Sequence, residues 1–295
     1  MTDLLLKGCG TALVTPFTSD GDVDYEAYAA LIDRQVAAGV DFLCPLVTTG
    51  ETPTLSASEK VEMMKVAKAH CGGLPLLVGC GSNAFEPTLE NIELLDGFEP
   101  DAWLVVVPFY NKPTQEGQYE YFRAVAAATA RPVVIYNVPG RTGANMNADT
   151  CIRLALECEN IIGIKEASGR YSQVSEIIRR APEGFAVLSG DDDMTFAFMA
   201  TGAHGVVSVA SNVAPAEVSQ MVHALEAEDY RTARELHHRL FPLFKACFAE
   251  SNPIPAKAAL AQLGLMSPAV RLPLSPATEA TVELMNNVLS ELWKK

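Results

Sequence analysis

The sequence lacks the features that mark several functional classes. Its seven cysteines (Cys9, Cys44, Cys71, Cys80, Cys151, Cys158 and Cys247) include no C-x-x-C pair. An odd set scattered through apolar runs reads as small core residues of a reduced, cytoplasmic chain, which excludes a disulfide framework. Histidine is scarce. His70, His204, His223, His237 and His238 fall mostly in predicted helices, without carboxylates at ligand spacing, so no metal site is expected. Basic residues are few: 22 Lys and Arg against 36 Asp and Glu give a net charge of −14, which argues against a nucleic-acid or acidic-membrane partner. No apolar run approaches a membrane span, and the apolar part of MTDLLLKGCG is too short for a signal peptide. No predicted strand is followed by G-x-G-x-x-G and no G-K-[ST] occurs, which weighs against a dinucleotide fold of two doubly wound halves. Linkers, low-complexity segments and repeats are absent as well.

What is present is a large apolar fraction, 49% of 295 residues, in a regular alternation. Short buried-type strands are predicted at Thr11–Val14, Phe42–Leu46, Leu74–Gly79, Ala102–Val107, Val133–Tyr136, Ile161–Lys165, Ala186–Leu188 and Gly205–Val209. Helical patterns separate them. Asp24–Ala38 is closed by Gly39, and Ser56 with Glu59 forms a capping box for a helix to about His70. Further helices are predicted over Pro87–Leu95, Thr114–Ala130, Ala148–Cys158, Tyr171–Arg180 and Met194–Thr201. Eight β/α units in about 225 residues match one eight-stranded (β/α)8 TIM barrel. The reading assigns residues 1–227 to a catalytic barrel and 228–295 to a C-terminal helical extension, with helices over Tyr230–Phe248, Ile254–Leu263 and Pro276–Leu292.

In such a barrel the strand ends meet at one mouth, where active sites lie. Reading those ends gives Val47-Thr48-Thr49-Gly50-Glu51, then Gly79 and Gly81, then Phe109-Tyr110-Asn111. They continue with Tyr136 followed by Arg141, Lys165 with Glu166, Gly190-Asp191, and Val207-Ser208. Lys165 closes an apolar strand. An amine at such a place is partly desolvated, which favours the neutral nucleophile that Schiff-base chemistry on a carbonyl needs. The competing reading makes Lys165 a structural lysine paired with Glu51 or Asp191. Tyr136 read alone is as well explained as a core tyrosine, the Thr48–Gly50 stretch as a turn, and Arg141 as a helix cap or a bridge to a carboxylate. Their joint appearance at one end of successive strands favours a site.

The ordered motifs ALVTPF, TTGE, PFYNKPTQEG, YNVPGRTG, GIKEASG, LSGDD, GVVSV and NPIPAK span nearly the whole chain. On these the sequence resembles the dihydrodipicolinate synthase family, within the pyruvate-dependent class I aldolases. The resemblance implies a lyase that condenses pyruvate with L-aspartate 4-semialdehyde, on the diaminopimelate route to lysine, without a cofactor. It implies that Lys165 forms an imine with C2 of pyruvate and that Tyr136 moves the protons. Thr48 would link Tyr136 to Tyr110 in a relay. Thr49 would hold the pyruvate carboxylate, with the Val207 backbone and Gly190 lining the pocket, and Arg141 would bind the carboxylate of the semialdehyde. Tyr110 would reach the site of a second subunit, in a homotetramer built as a dimer of dimers. Val47 departs from the family, which usually has glycine before TTGE. Many relatives also bind lysine at an interface cleft; the matching positions here are Ala57, Lys60, Pro87 and Phe109, with Asn83 retained, so weak or no lysine inhibition is expected. Two alternatives stand beside this reading: a keto-acid aldolase on 2-keto-acid sugars, against which Arg141 speaks, and a non-catalytic small-molecule binder.

Overall fold

The computed structural model describes residues 6–294. Eight parallel strands run β1 (Gly8–Ala12), β2 (Phe42–Cys44), β3 (Leu77–Gly79), β4 (Ala102–Val106), β5 (Val133–Asn137), β6 (Ile161–Glu166), β7 (Ala186–Ser189) and β8 (Gly205–Ser208). They are ordered β2-β1-β8-β7-β6-β5-β4-β3. The ring closes where Leu43 bridges Leu76 in parallel, and the Gly79 amide donates to the Pro45 carbonyl at 3.1 Å. This is the expected TIM barrel, with helices around it and further helices at the C-terminal end. Strands buried on both faces need apolar side chains on both, and the core accordingly divides in two. One cluster fills the barrel interior and includes Phe42, Leu77, Leu104, Val134, Leu188 and Val207. A larger one lies between the strands and the helices and includes Val133, Ile135, Ile164, Val187 and Val206.

Most boundaries fall within a few residues of expectation, and the departures have physical causes. The first strand is Gly8–Ala12, earlier than the predicted Thr11–Val14. Its glycines hide it from a propensity reading. Gly10 must lack a side chain, since a Cβ there would lie 2.1 Å from the Phe42 ring that fills the interior. The third strand begins at Leu77 and not at Leu74, after Pro75, which has no amide to donate to a ladder. The last helix starts at Glu279 rather than Pro276, because Thr278 caps it by accepting from the Thr281 amide. The Ser56–Glu59 capping box is formed in both directions. After residue 228 the helices Tyr230–Ala246, Ile254–Gln262 and Glu279–Leu292 pack on one another. Among the described residues no helix is long and apolar enough to cross a membrane.

Candidate active site

The site is built on the register between β5 and β6. Val133 pairs with Ile161, but Val134 pairs with Gly163, so Ile162 is an extra residue in β6. Such a bulge shifts the in/out parity of everything after it. Without it Lys165 would follow the outward parity of Ile161. With it Lys165 pairs with Tyr136, and both project into the barrel. The inward Gly163 permits this, because a Cβ there would sit 2.6 Å from the Ala186 carbonyl oxygen. Lys165 is 5% exposed and Tyr136 7%. The Lys165 Nζ stands 4.1 Å from the centre of the Tyr136 ring, and among the described residues neither Nζ nor the Tyr136 hydroxyl has a hydrogen-bond partner.

The next residues on the two strands point the other way and are saturated. Glu166, fully buried, accepts from Asn137 Nδ2 at 3.1 Å, from Gln173 Nε2 at 2.9 Å and from the Ser168 amide at 2.9 Å. Burial raises its carboxyl above the usual range, against the lowering effect of these donors. This knot ties the ends of β5 and β6 together directly behind the Lys165–Tyr136 pair.

Among the described residues Lys165 is paired with neither of the carboxylates that a structural role would use. Glu51 is engaged by Lys257, whose Nζ lies 2.6 Å from its Oε1, with both side chains essentially inaccessible. Asp191 makes no ion pair with Lys165; burial and the nearby Asp193 push its carboxyl up to about 6, with Lys165 pulling the other way. Gly190 gives the lysine room, since a Cβ there would lie 3.2 Å from Lys165 Cε. Val207, on β8, belongs to the same interior cluster as Tyr136.

The TTG motif forms a single 3-10 turn, Thr48–Gly50, closed by Glu51 at φ 52°. Thr49 is buried and accepts from Asn252 Nδ2 at 2.9 Å. Thr15 Oγ1 holds the Gly50 carbonyl at 2.6 Å. Thr48 is exposed and shares with Tyr136, Val47 and Arg141 a cavity of about 380 Å³ that runs on to Lys60, Ser82 and Asn91. Arg141 rides on the short helix Pro139–Thr142, which Gly143 terminates at φ 69°. Its guanidinium is exposed and reaches the Asn252 carbonyl at 3.5 Å. Tyr110 is not assembled with the rest: it is 87% exposed, at φ 72°, and hydrogen-bonds to neither Thr48 nor Tyr136. One chain therefore unites Lys165 with Tyr136 and Thr49 with Arg141, and leaves the Tyr136–Thr48–Tyr110 series unconnected. Among the described residues no cluster of His, Cys, Asp or Glu is arranged to hold a metal.

Asn252 and Lys257 received no role from the sequence. A signal was there, because Lys257 stands inside IPAKAAL, a stretch apolar on every side, and a charge so placed requires a partner.

Comparison with known proteins agrees over the full length. Residues 5–292 match the model of the dihydrodipicolinate synthetase family. A 4-hydroxy-tetrahydrodipicolinate synthase of Parabacteroides distasonis is 46% identical, covering 99% of both chains. One from Koribacter versatilis is 48% identical over 92% of this chain and 91% of its own. The crystal structure of dihydrodipicolinate synthase from Thermotoga maritima superposes with a TM-score of 0.95 at 41% identity, covering 98% of this chain and 99% of that one. With a barrel whose β6 lysine meets a β5 tyrosine, and with relatives of this identity over nearly every residue, the chain belongs to the dihydrodipicolinate synthetase family.

Proposed function

We propose that this chain is a lyase that condenses pyruvate with L-aspartate 4-semialdehyde to 4-hydroxy-tetrahydrodipicolinate through a Schiff base. The observation that carries the reading is the Lys165–Tyr136 pair: a nearly buried amine with no carboxylate partner, held against a tyrosine in strand register. The Lys165 amine adds to C2 of pyruvate, and loss of water leaves an imine. Removal of a methyl proton gives an enamine, whose carbon attacks the aldehyde. The amino group of the acceptor then attacks C2, closing the ring and freeing Lys165. Tyr136 is the proton carrier for these steps, and proximity without a competing hydrogen bond supports that role. Thr49 holds the pyruvate carboxylate, with Val207 and Gly190 lining the pocket. Arg141, at the cavity mouth, takes the semialdehyde carboxylate in a charge-assisted pair. The keto-acid aldolase alternative finds no support among the relatives described above.

Thr48 and Tyr110 belong to the proton relay, with Tyr110 supplied to the site of a neighbouring subunit. A large aromatic side chain held in solvent on a left-handed backbone supports a partner there. The assembly is then a homotetramer, a dimer of dimers, working in the cytoplasm, with residues 1–227 as the catalytic barrel and 228–295 as its helical extension. A coupled assay with pyruvate and aspartate semialdehyde tests the activity. Turnover of 2-keto-3-deoxy sugars or sialic acid without condensation of the semialdehyde overturns it.

A further inference from the structure

The turn that carries Thr48 and Thr49 is held from outside the barrel, by residues that follow it in the chain, one on the helix Ile254–Gln262 and two in the segments flanking it. Asn252 Nδ2 donates to Thr49 Oγ1 at 2.9 Å, and the backbone carbonyl of the same asparagine faces Arg141 at 3.5 Å. Two residues after Thr49, Glu51 accepts at Oε1 from Lys257 Nζ at 2.6 Å and at Oε2 from the Arg271 amide at 3.0 Å. Glu51 adopts φ 52°, a left-handed conformation that a non-glycine residue keeps only where its surroundings impose it. Lys257 is enclosed: the run Ile254–Leu260 is buried at every position, and the Nζ lies 4.2 Å over the Phe17 ring.

The chemistry of a hydroxyl makes this more than packing. A threonine hydroxyl has one proton to give and two lone pairs to offer, while a carboxylate can only accept. An amide N–H already directed at the oxygen occupies a lone pair and leaves the proton free for another partner. We propose that Asn252 and Lys257 are positioning residues for pyruvate: Asn252 sets the Thr49 hydroxyl as a donor toward the substrate carboxylate, and Lys257 keeps the turn in place by neutralising the buried Glu51 carboxylate, whose other oxygen the Arg271 amide holds. This rests on the reading of Thr49 as the group that binds that carboxylate.

The test uses the full-length protein with pyruvate KM, semialdehyde KM, half-saturation of borohydride trapping by pyruvate, and thermal melting. Asn252→Asp replaces the amide donor by an acceptor that competes for the Thr49 proton. It is expected to raise the pyruvate KM at least tenfold, change the semialdehyde KM less than threefold, and leave the melting temperature within a few degrees. Lys257→Met leaves the Glu51 carboxylate alone in the interior and is expected to raise the pyruvate KM to a similar extent. Adding Glu51→Gln to Lys257→Met removes the orphaned charge and recovers most of the pyruvate affinity, a coupling that independent sites do not show. A folded Asn252→Asp protein with wild-type pyruvate KM overturns the proposal. So does a double variant no better than Lys257→Met alone, and this arm decides if Asn252→Asp does not fold. Thr49→Val separates the layers. If it raises the pyruvate KM while Asn252→Asp does not, the positioning role fails and the Thr49 reading stands. If Thr49→Val leaves the pyruvate KM unchanged, both fail.

Discussion

Among the described residues two lysines are buried, each over an aromatic ring, and they differ in one respect. Lys257 is fully buried, 4.2 Å from the centre of Phe17, with a carboxylate 2.6 Å away. Lys165 is 5% exposed, 4.1 Å from the centre of Tyr136, with no carboxylate in contact. Desolvation disfavours the Lys257 ammonium. At Lys257 Glu51 compensates, although burial still pushes the amine down to about 8. At Lys165 no carboxylate is in contact, and the amine is held in no ion pair among the described residues. Burial of a lysine therefore says little by itself about its role. The presence of a counter-charge separates the lysine proposed to hold a turn from the one proposed to form the Schiff base.

The sharpest way to break this comparison is to remove each lysine in turn. Lys165→Ala is expected to lower kcat by roughly 10⁶-fold, the scale seen when a covalent nucleophile is deleted, with the fold intact. Steady-state kinetics and loss of the borohydride-trapped pyruvate adduct check it, and a retained adduct on another lysine contradicts it. Lys257→Met is expected to act on stability, by about 3–5 kcal/mol, because it leaves an uncompensated buried carboxylate. Denaturant unfolding measures this. The double change Lys257→Met with Glu51→Leu should regain most of that loss, since an apolar pair of similar volume replaces the ions. Arg141 is the exposed counterpart of these buried cations. Arg141→Ala is expected to cost about 2 kcal/mol in kcat/KM for the semialdehyde, with pyruvate trapping preserved. Unchanged semialdehyde kinetics would remove it from the site.

The contrast between the lysines also marks how far the sequence could be read. Alternating apolar runs and strand ends were enough for the barrel, because a parallel strand buried on both faces leaves a plain pattern. The placing of Lys165 at a strand end was legible in GIKEASG. Its inward direction was not. That depends on the bulge at Ile162, and a one-residue change of register has no composition signature. The partner of Glu51 was equally hidden. It lies 206 residues further along the chain, and no local spacing relates the two. The Thr48–Tyr110 relay was read from resemblance, and a single chain leaves it unassembled.

A second ion pair holds the extension to the helix that follows the TTG turn, and it sharpens the contrast by being accessible. Arg271 bonds both oxygens of Glu59, at 2.5 and 3.0 Å, with each side chain about one-fifth exposed. Hydrogen bonding to Arg271 is the main cause that lowers the Glu59 carboxyl from 4.5 to about 2. A carboxylate whose folded pKa is depressed stabilises the fold fully above its unfolded value and loses that contribution as pH falls toward the folded one. The window is therefore pH 4.5 down to about 2. Screening at an accessible pair limits the effect to about 1 kcal/mol. Glu59→Gln should lower stability by that amount at pH 7, and the gap between variant and parent should close as the window is crossed. A gap that persists at pH 2 would assign the loss to the capping box instead.

The smallest expected effect concerns a third lysine. Lys60 is half-buried, and its Nζ donates to Asn91 Oδ1 at 3.0 Å at the far end of the cavity that begins at Tyr136. Burial lowers its amine, with no carboxylate to offset it. Among the described residues no Asp or Glu lines that cavity, while Lys60 and Arg141 both do. A free lysine brings two ammonium groups and one carboxylate. Desolvating either ammonium here would be costly without an acidic partner, and Lys60 adds repulsion at close range. Pro87 and Ala57, exposed nearby in sequence, offer no acceptor side chain. Titrating lysine into an initial-rate assay at fixed pyruvate and semialdehyde should leave the rate unchanged below about 1 mM, an affinity equivalent to about 4 kcal/mol. Saturable inhibition in the micromolar range would mean that a carboxylate outside this cavity, on this chain or a neighbouring subunit, completes a binding site for the ammonium.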